Sequence, residues 1–306
     1  MKPVLTQIFI SICLLANSHA QRIDSIKYSN GHLYFHHYGE GETVIFLNGG
    51  LINHYSQLAE MARETGKFFH VILTEQRGTG KSIPIPFDST TLNMQTAVDD
   101  IKLVLENQKL KQVSILGHSW GAMLAIAFAS QYPKMVKSLI LVGPGPFQNY
   151  DYTDRTYHHN LMSRLGVAEL KNFDSLNLRI NQGAGTTKDI AQWTRLLRLC
   201  FVYPKTRLDS IFHKINVKSY SDAGAFIIKD LHRRPELSQS INKYKGPIDV
   251  ICGRQDALAF NSYELKVFRP TVILHWIEES GHFPMYEQPK AFYSVLLAIL
   301  KKTKHE

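Results

Sequence analysis

Residues 113–116, Val-Ser-Ile-Leu, run directly into Gly117-His118-Ser119-Trp120-Gly121, which is followed by the apolar, small-residue run 122–129. This order predicts a buried strand, a sharp turn and a buried helix, with Ser119 at the turn. Such a turn holds the serine in a strained backbone conformation and exposes its hydroxyl at the edge of a sheet. The two flanking glycines are expected where strand and helix lie too close for side chains. We therefore predict that Ser119 is a nucleophile.

Strands and helices alternate on both sides of this stretch. Asn30-Gly31 predicts an early hairpin turn, and residues 92–107 carry apolar residues at helical spacing. Further buried strands are predicted at 43–47, 68–73, 138–142, 248–252 and 271–277. The alternation predicts an α/β protein with a mostly parallel, doubly wound sheet.

The middle of the chain differs from the rest in composition and in its pattern of predicted elements. Residues 147–246 are mostly polar and lack the alternation of strands and helices, although 190–201 and 223–232 have helical patterns. We interpret 147–246 as a helical cap inserted over the site. The catalytic core would then consist of 21–146 and 247–306.

The first twenty residues resemble a secretory signal peptide. Lys2 precedes an apolar stretch, 8–16, and small residues stand at Ser18 and Ala20. We predict a signal peptide at 1–20 and a secreted or periplasmic protein, because the apolar stretch is too short to span a bilayer comfortably. An uncleaved N-terminal membrane anchor and a lipoprotein attached at Cys13 are the alternatives.

Composition narrows the range of partners. The chain has 306 residues and a formal net charge of +9, but its basic residues are scattered and no stripe of them alternates with aromatic residues. We expect no nucleic-acid binding, no stable membrane insertion after removal of the signal, and a small-molecule or short-peptide substrate. The oligomeric state stays open. Cys200 and Cys252 are expected to be unpaired core thiols, although an oxidising compartment would permit a disulfide, and their spacing predicts no metal site.

A serine nucleophile needs a base and a group that orients the base. Asp256 and His282 follow successive predicted strands and come after Ser119 in the order acid, then histidine. Both are expected in loops at the carboxyl edge of the sheet. Asp249 is a poorer choice of acid because it lies within a strand, and His118 is expected to pack beside the nucleophile rather than act as the base.

The negative charge that develops during attack requires N–H donors. Asn48-Gly49-Gly50 ends the predicted strand 43–47, so the Gly50 N–H is expected to form half of an oxyanion hole, and the Trp120 N–H the other half. This chemistry implies neither a metal nor an organic cofactor.

Three motifs resemble the α/β-hydrolase fold superfamily, and more narrowly its proline iminopeptidase-like branch. They are Asn48-Gly49-Gly50, the stretch Glu75-Gln76-Arg77-Gly78-Thr79-Gly80-Lys81-Ser82, and Gly117-His118-Ser119-Trp120-Gly121. The resemblance implies Ser119 as nucleophile, His282 as base, Asp256 as orienting acid, and Gly50 and Trp120 as oxyanion donors.

The chain also departs from the iminopeptidase pattern. Asn48 stands where the family has histidine, and Leu51 and Ile52 stand where it has Pro-Gly. The resemblance also implies a cap carboxylate that holds the substrate amine, but residues 192–197 contain none, leaving Asp222 or Asp230 as substitutes. We therefore predict a serine hydrolase of small esters or amides, with N-terminal aminoacyl or prolyl substrates as one option. The alternatives are a carboxylesterase without peptidase activity and a non-catalytic binding protein.

Overall fold

The computed structural model describes residues 22–50, 54–146, 150–215, 221–231 and 237–304. The predicted signal peptide 1–20 and the departures Leu51 and Ile52 lie outside these ranges.

Among the described residues, eight strands form one sheet in the order β1-β2-β4-β3-β5-β6-β7-β8. The first two strands pair antiparallel, β2 also pairs antiparallel with β4, and all the other neighbours are parallel. The predicted mostly parallel, doubly wound sheet is therefore confirmed. The strands are β1 (Arg22–Tyr28), β2 (Gly31–Tyr38), β3 (Thr43–Leu47), β4 (His70–Thr74), β5 (Val113–His118), β6 (Val136–Val142), β7 (Ile248–Gly253) and β8 (Ile273–Ile277).

Helices cover both faces of the sheet because alternate strand residues point to opposite sides. In β3, for example, Ile45 and Leu47 belong to one buried apolar cluster, and Val44 and Phe46 belong to the other. The helices are α1 (Ser56–Thr65), α2 (Met94–Asn107), α3 (Trp120–Gln131), α4 (Tyr150–Met162), α5 (Val167–Asn181), α6 (Thr187–Leu199), α7 (Leu208–Ile215), α8 (Ser221–Leu231), α9 (Leu237–Ser240), α10 (Ala259–Phe268), α11 (Pro284–Glu287) and α12 (Pro289–Lys304).

The helix after Ser119 lies deep in the molecule. Every residue of α3 from Trp120 to Ser130 is buried. Its small residues let it lie directly against β5. The predicted sequence of strand, turn and buried helix is thus confirmed around Ser119, which places the serine at the carboxyl end of β5.

Helices α4 to α9 lie between β6 and β7 in the chain. The helical patterns at 190–201 and 223–232 correspond to α6 and α8. Phe173 and Leu196 join the buried apolar cluster of α5 and α6. In contrast, Ala223 and Ile227 of α8 belong to the apolar cluster of the sheet.

The carboxylate of Asp230 at the end of α8 accepts the Met94 N–H, at the start of α2, at 2.8 Å. This bond satisfies one of the N–H groups that a helix leaves unpaired at its N-terminus. Asp230, one of the two substitutes considered for the cap carboxylate, is therefore engaged at the start of α2. The side chain of Asp222 lies outside the described residues.

Both cysteines of the described chain, Cys200 and Cys252, are free and buried, as predicted. Within the described ranges, no helix combines the length and apolar character needed to cross a membrane.

Candidate active site

Ser119 occupies the turn between β5 and α3 with φ 54° and ψ −115°. A non-glycine residue in this region is strained and persists only where the surrounding structure fixes it. Here the Ser119 N–H donates to the Val142 carbonyl at 2.9 Å, and the Ser119 carbonyl accepts the N–H groups of Ala122 and Gly145. The predicted backbone strain at Ser119 is present, and bonds from neighbouring strand ends maintain it.

The glycines of the turn stand where main chains nearly touch. A Cβ added to Gly117 would lie 2.2 Å from the Gly121 carbonyl oxygen, and one added to Gly121 would lie 2.2 Å from the Leu47 carbonyl oxygen. Both contacts are with backbone atoms, which cannot rotate away. The sequence-based reason for these two glycines is therefore confirmed.

We expect Gly121→Ala to lower the free energy of unfolding by at least about 2 kcal/mol, because α3 must move away from β3 to make room. Gly166→Ala is the control, since Gly166 has an ordinary φ of −69° and a Cβ there meets nothing closer than 3.7 Å. Urea unfolding of both variants tests this, and equal midpoints would contradict the packing argument.

The two groups predicted to serve the nucleophile are in direct contact. Asp256 lies in the loop after β7, His282 lies in the loop after β8, and the His282 Nδ1–H donates to Asp256 Oδ2 at 2.8 Å. Both side chains are buried. A Cβ on Gly143, the residue after the backbone partner of Ser119, would lie 3.1 Å from His282 Nδ1 and 3.2 Å from Asp256 Oδ2. The structure thus places all three side chains at one edge of the sheet.

The surroundings of Asp256 favour its charged form. Burial by itself raises the pKa of this carboxyl, but the charge and hydrogen bond of His282 and the Leu258 N–H together hold the pKa below its ordinary value. The Leu258 N–H donates to Oδ1 at 2.9 Å, leaving Oδ2 for the imidazole. An ionised carboxylate in this position keeps the Nδ1 proton in place and leaves Nε2 as the nitrogen able to accept a proton.

The predicted oxyanion donors belong to the start of α3 and to the loop after β3. Trp120 is the first residue of α3, where a helix N–H has no partner within the helix. Gly50 has a φ of +59°, which a glycine adopts without strain. A Cβ on Gly49 would lie 3.0 Å from the Ser119 Cβ, so this loop packs directly against the turn that holds Ser119.

Gln76 joins these two segments, a role that the sequence did not reveal although the residue lies in a recognised motif. Its Nε2 donates to the Asn48 carbonyl at 3.0 Å, and its Oε1 accepts the Trp120 Nε1–H at 3.0 Å. Gln76 is buried. One amide therefore connects the loop that carries Gly50 to the helix start that carries Trp120.

We expect Gln76→Leu to lower the free energy of unfolding by about 2–4 kcal/mol, because the two buried hydrogen bonds of the Gln76 amide are lost. Gln57→Leu is the matched control. Gln57 is also buried, but within the described chain its Oε1 has no hydrogen-bond partner, so its loss is expected to be nearly neutral or stabilising. Thermal unfolding of both variants measures the difference. A Gln76→Leu protein as stable as Gln57→Leu would refute the connecting role.

His118 packs beside His282, as predicted from its position. Its Nε2–H donates to the His282 carbonyl at 2.9 Å, and the two rings lie 4.8 Å apart. Burial, together with the charge of His282, lowers the pKa of His118 to about 3. His118 is therefore neutral near pH 7 and holds the main chain of His282. Across the described ranges, no group of three or more His, Cys, Asp or Glu residues is arranged to hold a metal ion.

Comparisons with known proteins found relatives that cover most of this chain. A proline iminopeptidase from Heyndrickxia coagulans is 26% identical over 271 residues, covering 84% of this chain and 90% of the relative. A 2-hydroxy-6-oxononadienedioate/2-hydroxy-6-oxononatrienedioate hydrolase 2 from Pseudomonas putida is 24% identical over 284 residues, covering 88% of this chain and 91% of the relative.

The fold has solved counterparts as well. The crystal structure of a proline iminopeptidase-related protein from Thermus thermophilus matches with a TM-score of 0.69 at 20% identity, covering 90% of this chain and 95% of that one. The sequence model of the alpha/beta hydrolase fold family matches residues 42–289, a range that includes Gly50, Ser119, Asp256 and His282. With its eight-stranded sheet and helices on both faces, the chain belongs to the α/β-hydrolase fold family.

Proposed function

We propose that the protein is a secreted serine hydrolase that cleaves small esters or amides through Ser119, His282 and Asp256. One observation carries this proposal. A buried carboxylate accepts the Nδ1 proton of a buried imidazole, and both lie against the strand end that bonds the backbone of a strained serine. The enzymes that this chain resembles are named as hydrolases and peptidases, which supports the same class of reaction.

The proposed reaction has two halves. Ser119 Oγ attacks the substrate carbonyl carbon while His282 Nε2 takes the hydroxyl proton, and the N–H groups of Gly50 and Trp120 bind the resulting oxyanion. The carbon–leaving-group bond then breaks, and His282 returns the proton to the leaving group. Water, deprotonated by the same imidazole, attacks the acyl-enzyme and releases the acid and free Ser119.

Four described carboxylates of the predicted cap are already engaged, which favours an ester over an N-terminal aminoacyl substrate. Glu169 pairs with Lys205, Asp189 with Arg179, and Asp209 with Arg195. Asp230 is engaged at the start of α2. These four carboxylates already have partners, whereas a substrate ammonium group buried without a carboxylate would be costly. We therefore favour a carboxylesterase over an aminopeptidase.

A fluorophosphonate probe tests the proposed class, because Ser119 Oγ would displace fluoride from phosphorus and form a stable covalent adduct. We expect labelling of the folded protein at Ser119, located by peptide mass spectrometry. Folded protein that does not label would favour the alternative of a non-catalytic binding protein.

Within the hydrolase class, p-nitrophenyl esters and proline β-naphthylamide separate the two substrate types. We expect turnover of short-chain esters and little or none of the aminoacyl amide. Efficient release of naphthylamine would instead assign the iminopeptidase activity.

Secretion is part of the same proposal and is supported by the composition of residues 1–20. Expression of the full chain in a bacterial host, followed by N-terminal sequencing of the extracytoplasmic fraction, is expected to give a chain that begins at Gln21. Retention of Met1 on a membrane-bound chain would support the N-terminal anchor.

A further inference from the structure

The carboxylate of Glu287, the last residue of α11, is buried and bonded only to backbone N–H groups within the described chain. Glu287 is 1% exposed. Oε2 accepts the Gly281 N–H at 2.7 Å and the Tyr203 N–H at 2.8 Å, and Oε1 accepts the Phe283 N–H at 2.8 Å. Charge-assisted bonds of this kind are among the strongest hydrogen bonds in proteins.

Two of these donors are the immediate neighbours of His282 in the chain. The remaining backbone groups of His282 are also fixed, since its N–H donates to the Phe201 carbonyl at 2.8 Å and its carbonyl accepts the His118 Nε2–H. The main chain on both sides of His282 is thus held by hydrogen bonds to Glu287, Phe201 and His118.

The third donor, Tyr203, belongs to the segment that follows α6 of the cap. A Cβ on Gly281 would lie 2.5 Å from the Phe201 carbonyl oxygen, so residues 201–203 and the His282 loop are in direct backbone contact. The Phe201 ring lies 5.3 Å from the His282 ring. Glu287 therefore bonds the base loop and the cap segment at the same time.

Burying the Glu287 carboxylate without a cationic partner costs free energy. Burial raises the pKa of Glu287 to about 7, although the N–H groups of Gly281, Tyr203 and Phe283 act in the opposite direction. Removing a charge from water without a cationic partner costs several kcal/mol. A neutral amide has one acceptor oxygen, whereas the carboxylate offers two that point at three donors. This arrangement requires both oxygens.

We propose that Glu287 is a positioning residue for the base, one that holds the His282 loop and the cap segment 201–203 together so that the imidazole stays aligned between Asp256 and Ser119. The inference rests on the proposed function for its effect on turnover. Its effect on the bond from His282 Nδ1 to Asp256 does not depend on any activity.

Glu287→Gln keeps the size of the side chain but puts an amide NH₂ group against at least one N–H donor. We expect kcat for p-nitrophenyl acetate to fall about 10- to 100-fold, with KM changed less than about threefold, because small displacements of a catalytic group mainly affect the transition state. The downfield proton resonance of His282 Nδ1 is expected to shift or broaden by exchange.

Asp249→Asn is the matched control. Asp249 is also buried, lies on β7, and accepts the His275 Nε2–H at 2.7 Å, at the end of the strand away from Asp256. This variant is expected to lose stability while it keeps the wild-type kcat and the wild-type Nδ1 resonance. The comparison separates positioning of His282 from a general loss of stability.

Wild-type kcat together with an unchanged Nδ1 resonance in folded Glu287→Gln would overturn the inference. If Glu287→Gln does not fold, Glu287→Asp replaces it in the test. Glu287→Asp keeps the charge but shortens the side chain by one methylene group, and kcat and the Nδ1 resonance decide the outcome in the same way. A wild-type protein that neither labels nor turns over ester would reject the proposed function alone, because the resonance still reports whether Glu287 positions His282.

Discussion

Replacing Ser119 by alanine is expected to reduce ester turnover by about 10⁴- to 10⁶-fold and to abolish fluorophosphonate labelling. The hydroxyl is the proposed attacking atom, and without it only the oxyanion donors and substrate binding remain to accelerate hydrolysis by water. Initial rates with p-nitrophenyl acetate, measured on enzyme whose fold is checked by circular dichroism, give the ratio.

Ser130→Ala provides the control for this experiment. Ser130 lies on the same helix, α3, and is buried, and its hydroxyl donates to the Ile126 carbonyl at 2.8 Å within the helix. We expect Ser130→Ala to label and turn over like the wild type. A Ser119→Ala protein that retains a tenth or more of the wild-type rate would remove Ser119 from the role of nucleophile.

The position of Ser119 at this turn follows from features that the sequence already carries. Strand β5 and helix α3 could be located because a continuous apolar segment ends at a glycine and resumes as a run of small residues. Glycine is required at positions 117 and 121 because a Cβ at either position would lie 2.2 Å from a main-chain carbonyl oxygen. For Gly117 local sequence was sufficient, because the constraint lies between β5 and α3, which are adjacent in the chain. For Gly121 the constraint comes from the Leu47 carbonyl of β3, which is distant in the chain.

Asp256 and His282 could be predicted for a related reason. Each follows a buried parallel strand, and the carboxyl ends of neighbouring parallel strands meet at one edge of a sheet. The order of residues along the chain therefore indicated their proximity. Their contact at 2.8 Å depends on the register of β7 and β8, which sequence patterns alone do not determine.

One bond made by each of Gln76 and Glu287 could not be predicted because the partner is a backbone group far away in the chain. Gln76 bonds the Asn48 carbonyl, 28 residues away, and Glu287 bonds the Tyr203 N–H, 84 residues away. A backbone N–H carries no signature in the sequence. The same reasoning applies to Asp230, whose partner at the start of α2 lies 136 residues away.

Residues 147–246 were predicted least completely, because few positions on their helices are buried. In α6 only Leu196 is buried, and in α5 only Phe173 and Leu176 are buried, so most positions on these helices carry little apolar signal. The placement of α8 on the sheet cluster, rather than only over the site, depends on contacts with α2 that no local pattern indicates.

Asp256→Asn is expected to lower kcat for ester hydrolysis by about 10⁴-fold while leaving the fold intact. The asparagine carbonyl oxygen can still accept the Leu258 N–H, which donates to Oδ1 in the native protein. Its NH₂ group then faces His282 Nδ1 in place of Oδ2. Because that NH₂ group donates to Nδ1, the ring proton moves to Nε2, and the imidazole presents an N–H to Ser119 where a lone pair is needed.

Stopped-flow labelling by the fluorophosphonate probe measures the reactivity of Ser119 independently of the choice of ester substrate. We expect the labelling rate of Asp256→Asn to fall in parallel with kcat. The control is again Asp249→Asn, a buried carboxylate on β7, the strand that leads to Asp256, which pairs with His275 instead. Loss of activity in Asp249→Asn with retention in Asp256→Asn would transfer the orienting role to the strand residue. Because Asp256 has its two oxygens committed to Leu258 and His282, we expect the opposite order, with Asp256→Asn the slower enzyme by about three or more powers of ten.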